Sequence, residues 1–219
     1  MIDPIIVYGA GGHAKAVIDT IEKDGRYRIA GLLDGYKPAG TSFYGYEILG
    51  DEAWLAANAD RVSSGIIAIG DNWKRANIAD AIRTINPQFH FVTAIHPTAS
   101  VARGAAIGAG SVLMAGAIIN SDTIIGEHNV LYTHASVDHD CNVGRFVTFA
   151  PKAATGGNVS IGDYSVVSMG ANIIHGQTIG EHSVIGAGST VLTSIASHVV
   201  AYGTPAKVIR NREAGERYL

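Results

Sequence analysis

Two periodicities divide the chain. Up to about residue 85, short apolar runs alternate with stretches whose apolar residues recur every three or four positions. Ile5-Ile6-Val7-Tyr8 ends at Gly9 and reads as a buried parallel strand. Between Ala14 and Lys23, Val17, Ile18 and Ile21 share one helical face. Arg28 to Leu33 predicts a second strand, ending at Asp34, and Gly65 to Ile69 another, ending at Gly70-Asp71-Asn72. From Trp73 to Ile85 the recurrence of Ile78, Ile82 and Ile85 predicts a helix. This β-α-β order, with an extra strand and helix, predicts the start of a doubly wound sheet.

From Ile95 the period becomes six. Every sixth residue to Val191 is Ile, Leu or Val in fifteen of seventeen cases, broken only by Phe149 and Thr155. The next position is Gly seven times, which implies a backbone shape open to glycine. Four positions after the aliphatic, the residue is small in fourteen of seventeen cases, as a second inward site near a corner requires. The pattern predicts a solenoid of short strands, three hexads to a coil, with coils about 4.8 Å apart.

Composition narrows the function classes. The 219 residues carry a net charge of -3 with no basic run, which argues against nucleic acid or an anionic membrane as partner. The one cysteine, Cys141, excludes a disulfide framework within the chain and fits a reducing compartment. No secretory signal is evident and no apolar stretch has transmembrane length, so the expected address is the cytoplasm. The nine histidines have no spacing typical of a metal site, so no metal is required.

Gly9-Ala10-Gly11-Gly12-His13-Ala14 follows a strand and opens a helix, and Asp34 follows at the end of the next strand. Glycines there let the backbone approach a phosphate, the helix start attracts its charge, and Asp34 could take a ribose hydroxyl. A plain glycine turn is the alternative. An NAD-linked oxidoreductase is disfavoured, because some 85 residues are too few for both mononucleotide halves. His139 stands in Val137-Asp138-His139-Asp140, just after an inward aliphatic, so its ring should face outward. It is either a solvated surface residue or a general base whose tautomer a carboxylate holds. Asp138 is the weaker partner, since adjacent strand residues face opposite ways. Cys141 occupies a small corner position and reads as packing rather than a nucleophile.

The hexads resemble the left-handed β-helix of the hexapeptide-repeat acyltransferases. The layout of Gly9 to Lys15 in front, Ser136 to Cys141 in the hexads and Gly203-Thr204-Pro205-Ala206-Lys207 at the close resembles the sugar O- and N-acetyltransferase group. That group includes sialic acid O-acetyltransferases and bacterial N-acetyltransferases of nucleotide-linked 4-amino sugars. The resemblance implies an α/β Rossmann-like nucleotide-sugar-binding domain over 1–88. A left-handed parallel β-helix acyltransferase domain with a short tail would then span 89–219. It implies acetyl-CoA as co-substrate, direct transfer to a nucleotide-linked 4-amino-deoxy sugar, and a homotrimer with active sites between subunits. O-acetylation of a sugar such as sialic acid, or a non-catalytic nucleotide-sugar binder, are the alternatives.

The resemblance also assigns residues. His139 matches the catalytic base and Asp140 its orienter. Gly11, Gly12 and His13 would approach the phosphates or sugar, with Asp34, Gly35 and Gly70 bordering the nucleotide; Lys15 lies beside a phosphate or faces solvent. For acetyl-CoA the match gives Thr148, Gly157, Met169 and Ala187. The Gly157 amide, within the broken hexad Thr155-Gly156-Gly157-Asn158, would face the thioester carbonyl. Thr148 departs from the pattern, standing where a second histidine is frequent, and Tyr132 and His134 depart from an Asn-Thr-Gly or Asn-Thr-Ser. The charged segment from Arg210 is expected to be an exposed tail or short helix.

Overall fold

The computed structural model describes residues 3–218. The first half runs β1 (Asp3–Tyr8), α1 (Gly12–Asp24), β2 (Tyr27–Leu33), β3 (Ser42–Phe43), β4 (Tyr46–Gly50), α2 (Glu52–Ala57), β5 (Ser64–Ile67), α3 (Asn72–Ile85) and β6 (His90–Phe91). These strands form one sheet in the order β3-β4-β2-β1-β5-β6, parallel except for the β3–β4 pair. β1 pairs with β2 on one side and β5 on the other. The chain therefore leaves the ends of β1 and β5 in opposing directions and opens a crevice between their loops.

Helix starts differ in a way that matters for that crevice. α2 and α3 are capped by Asp51 and Asp71, whose carboxylates accept from backbone amides of the first turn. α1 begins at Gly11 with no side-chain cap and no acid in its first turn. The Ala14 N–H donates to the Gly11 carbonyl, and the N–H groups of Gly12 and His13 are left for another acceptor.

From Ala94 to Val191, seventeen two-residue strands stack into the parallel three-sided solenoid that the hexads predict. Each strand pairs with the one eighteen residues on, as in Val112↔Val130 and Ile118↔Ser136. The second residue of each strand points inward, so that Leu113, Ile119, Ile125, Leu131, Val137 and their successors form one continuous core. The small fourth-position residues Ala117, Ala135, Cys141 and Ala153 join it. The final strands, Val199–Gly203 and Ala206–Asn211, form an antiparallel hairpin on the face that begins with Ala94.

The glycines that follow the inward aliphatics have a different cause from the one their position implies. None of those seven has a left-handed φ. They are small because the coils stack on them: a Cβ at Gly126 would stand 2.6 Å from the carbonyl oxygen of Gly144. Left-handed φ values occur two residues later, at corners held by residues such as Asp140 (φ 57°) and Asn158 (φ 58°).

One solenoid face is covered by the first half of the chain. Its outward residues, Ala94, Val112, Val130, Thr148, Val166 and Val184, are all buried. Val17, Ile18 and Ile21 of α1 share a core with Ala94, Val112 and Val130, and Ala76, Ala79 and Ile82 of α3 share another with Phe91 and Phe146. Each such valine contributes on the order of 2 kcal/mol by leaving water. Arg75 of α3 pins the joint. It is fully buried and donates to the carbonyls of Ile69, Gly70 and His128 and to Asn72 Oδ1 at 2.7–3.0 Å. Burial without a carboxylate partner lowers its pKa. Along the neighbouring corner the rings of His128, Phe146, Tyr164, His182 and His198 stack in sequence with centroids 4.5–5.5 Å apart.

The C-terminal segment does not hang free. Ala206–Asn211 is a strand, and Arg212 is buried and donates to the carbonyls of His182 and Glu216. Gly215 lies against Trp73, and the Tyr218 hydroxyl donates to the Gly70 carbonyl at 2.7 Å. The charges of this segment hide an Arg, a Gly and a Tyr that dock on α3. Among the described residues, no helix is long and apolar enough to cross a membrane.

Candidate active site

The crevice between the loops after β1 and β5 is a cleft of about 730 Å³. Gly11, Gly12, His13, Asp34, Gly35 and Gly70 all line it, together with Tyr8, Glu52, Lys74 and Asn77. The uncapped start of α1 opens onto it, so backbone N–H groups and the helix dipole face whatever anion enters. Asp34 performs a visible structural task there. Its Oδ2 accepts from the Ala10 amide at 2.8 Å, and Oδ1 accepts from the amides of Tyr36 and Lys37. The carboxylate thereby fastens the glycine loop to the loop after β2. Lys15 is exposed and its ammonium lies 5.9 Å from the centre of the Phe43 ring, away from the cleft.

His13 links this cleft to the solenoid. Its Nδ1 and the Tyr132 hydroxyl share a hydrogen bond of 2.8 Å, while Nε2 is buried with no protein partner. Burial, followed by the charge of Arg75, pushes the His13 pKa down to about 3. The ring is therefore neutral, and its Nε2 has no partner among the described residues. Tyr132, one of the three departures from the family pattern, is thus a contact of the solenoid with the glycine loop. Its pKa is pushed up to about 12, chiefly by burial.

His139 stands on a different corner. Its side chain is 53% exposed and its Nδ1 lies 2.7 Å from Asp140 Oδ2. A carboxylate only accepts, so Nδ1 carries the proton and Nε2 keeps a lone pair for a base's work. The hydrogen bond to Asp140 is the main cause that raises the His139 pKa; desolvation opposes it, and the charges of Asp138 and Asp140 add to the rise. Asp138 is engaged elsewhere: it accepts from the His139 amide and from Asn120, both at 2.8 Å. Thr155, the broken hexad, accepts from the Asp138 amide at 3.2 Å. The inward aliphatic is missing there because a hydroxyl supports the turn that carries His139. Gly157, one coil on, lies directly against the imidazole. A Cβ in that place would come within 2.5 Å of His139 Cε1. Cys141 is buried and its Sγ receives the Val159 amide at 3.4 Å, which fits packing.

One expectation about acetyl-CoA changes with these positions. Thr148 does not face an open groove. It is buried under α3 and donates to Asn72 Oδ1 at 2.6 Å, because its strand belongs to the covered face. Met169 and Ala187 are exposed and stacked on one another, but on the corner at the other edge of the face that leads to His139. One chain does not bring them to His139 or His139 to the cleft. The Arg75 clamp and the Tyr218 contact had no sequence signal of their own. The covered face did have one, an eighteen-residue recurrence of Ala or Val just before the inward aliphatic.

Fold and site together define a hexapeptide-repeat acyltransferase with a Rossmann-like half of its own. Residues 4–82 match the PglD N-terminal domain family. The chain superimposes with a TM-score of 0.90 on a histidine-to-alanine mutant of GDP-perosamine N-acetyl transferase from Caulobacter crescentus, in complex with CoA and GDP-perosamine. The two are 34% identical over 96% of this chain and 99% of that one. The acetyltransferase domain of PglB from Neisseria gonorrhoeae, in complex with acetyl coenzyme A, gives a TM-score of 0.87 at 30% identity. That match covers 95% of this chain and 100% of the other. GDP-perosamine N-acetyltransferase of Escherichia coli O157:H7 is 27% identical over 178 residues, 78% of this chain and 77% of that protein. The chain belongs to the bacterial nucleotide-amino-sugar N-acetyltransferases.

Proposed function

We propose that the protein transfers the acetyl group of acetyl-CoA to the amino group of a nucleotide-linked 4-amino-deoxy sugar. The observation that carries the chemistry is the exposed His139 imidazole held by Asp140 at 2.7 Å. His139 Nε2 takes a proton from the acceptor amine as its nitrogen attacks the thioester carbonyl. The carbonyl oxygen gains negative charge in the tetrahedral intermediate, and the Gly157 amide serves as its donor. The intermediate collapses with cleavage of the C–S bond. The imidazolium returns the proton to the departing thiolate, leaving an amide and free CoA. No covalent enzyme intermediate is needed.

Residues 1–88 hold the nucleotide, with the diphosphate at the start of α1 and near His13, and residues 89–219 carry acyl transfer. The cleft meets the solenoid at Tyr132 and the base is seven residues on, up to about 23 Å of extended chain across an entire face. The reading includes a homotrimer, in which a neighbouring prism would bring its His139 corner to this chain's cleft and line the acetyl-CoA groove with Met169 or Ala187. The single buried cysteine is in keeping with a cytoplasmic enzyme.

The test is thiol release from acetyl-CoA with a panel of GDP-, UDP- and dTDP-linked 4-amino sugars and their hydroxyl analogues. Release with an amino sugar, lost in His139→Ala while nucleotide binding persists, is the expected result. Release only with hydroxyl acceptors would replace it with O-acetylation. Binding without any release would make the protein a nucleotide-sugar binder.

A further inference from the structure

Gly70 lines the cleft, yet its carbonyl is turned away from it. Three hydrogen bonds from two donors hold that orientation or its neighbour: Arg75 Nη1 reaches the Gly70 oxygen at 3.0 Å and the Ile69 oxygen at 2.9 Å, and the Tyr218 hydroxyl reaches the Gly70 oxygen at 2.7 Å. Neither Arg75 nor Tyr218 lines the cleft, so both pull from its far side. The Gly70–Asp71 peptide is trans, and in a trans peptide the C=O and the following N–H point in opposite directions. Among the described residues, no protein acceptor takes the Asp71 amide. Asp71 itself lines the cleft.

We infer that Tyr218 is a positioning residue for the nucleotide cleft, holding the Gly70–Asp71 peptide so that the Asp71 N–H meets a diphosphate oxygen across from the start of α1. The inference rests on the nucleotide-sugar reading above. The C-terminal segment is built for this placement. Arg212 is anchored on the His182 carbonyl, and Gly215, with φ 77°, turns the chain against the Trp73 indole and into α3. Arg75 alone divides its Nη1 between two carbonyls. The tyrosine hydroxyl adds the shorter bond, to Gly70 alone. Without it the peptide is free to rotate part-way and its N–H loses aim, while the His139 corner is untouched.

The experiment is Tyr218→Phe in the full chain. The ring stays packed and only the hydroxyl is removed. Binding of GDP, UDP and dTDP is measured by calorimetry, followed by steady-state kinetics with the best amino-sugar acceptor. The expected result is a three- to tenfold weaker nucleoside diphosphate affinity and an equal rise in KM for the nucleotide sugar. The kcat, the KM for acetyl-CoA and the Tm should stay near the wild-type values. Unchanged nucleotide affinity overturns the inference. So does a parallel loss in kcat and in acetyl-CoA binding, which would mark a general distortion. Should the wild-type protein bind none of the nucleoside diphosphates, the nucleotide-sugar reading fails and the inference with it.

Discussion

Substituting Gly157 by alanine isolates the placement of the base from its chemistry. The new Cβ would stand 2.5 Å from His139 Cε1 and 2.6 Å from Nε2. Carbon atoms rest about 3.5–4.0 Å apart, so one side must retreat by about 1 Å. The imidazole is 53% exposed and swings outward more easily than the stacked coil can move. Gly157 has no left-handed φ, so alanine fits its backbone, and the amide at 157 is retained. The expected stability change is therefore within about 0.5 kcal/mol. A retreat of 1 Å stretches the 2.7 Å bond to Asp140 beyond hydrogen-bond length and moves Nε2 off the acceptor amine. Misplacement on that scale costs roughly 10²-fold in rate. Initial rates of thiol release should accordingly give a kcat lowered about 10²-fold. The KM for the nucleotide sugar should hold, since the cleft is on another corner, and the melting temperature should shift by less than about 3 °C. A kcat near wild type would refute the claim that the ring works from its position against Gly157. A kcat loss matched by a large fall in melting temperature would refute the claim that the solenoid tolerates the extra methyl.

Four further outcomes follow from the same geometry. If His139 is the proposed base it acts when neutral, so kcat/KM should fall as pH drops through its raised pKa, placing the acid limb above the ordinary imidazole range. Asp140→Asn removes the largest cause of that rise, and the limb should move to lower pH while the plateau rate falls. Gly12→Glu has open space for its side chain and suits a helix start, yet it sets a carboxylate in the cleft. Calorimetry should then find nucleotide binding lost with the melting temperature kept. Co-expressed in equal amounts with His139→Ala, Gly12→Glu should restore about one quarter of wild-type activity if each site pairs one subunit's cleft with a neighbour's base. No restoration would assign both to one chain. Arg75→Met strands the Ile69 and His128 carbonyls, leaves the Gly70 carbonyl to Tyr218 alone, and should cost at least about 2 kcal/mol in a urea titration. Cys141→Ala should keep kcat within about twofold, since the buried sulfur packs rather than reacts.

The three central strands β1, β2 and β5, both long helices and every hexad register were legible because each rests on local periodicity, whereas β3, β4, α2 and β6 were not read from the sequence. The cleft residues were legible for a related reason: a glycine run between a strand and a helix can do few other things, and its six assigned residues line one cavity. What stayed hidden depended on how distant segments meet. Thr148 read as a groove residue because its hexad position faces outward, and nothing local says that α3 covers that face. The charges from Arg210 onward read as solvated, whereas Arg212 and Tyr218 find carbonyls 30 and 148 residues away. The glycines after the aliphatics were rightly seen as required, but their reason is contact with the next coil, which a single hexad does not contain. Thr155 looked like a lapse in the pattern and turns out to support the Asp138 amide.

The shared core between the two halves bears on how new acceptor specificities could be engineered. Because α1 packs on Ala94, Val112 and Val130 and α3 reaches Thr148 through Asn72, the first half is not a cartridge that can be swapped at a linker. A chimera that imports another protein's first 88 residues must import that valine-rich panel with them, or graft only the cleft loops onto the resident helices.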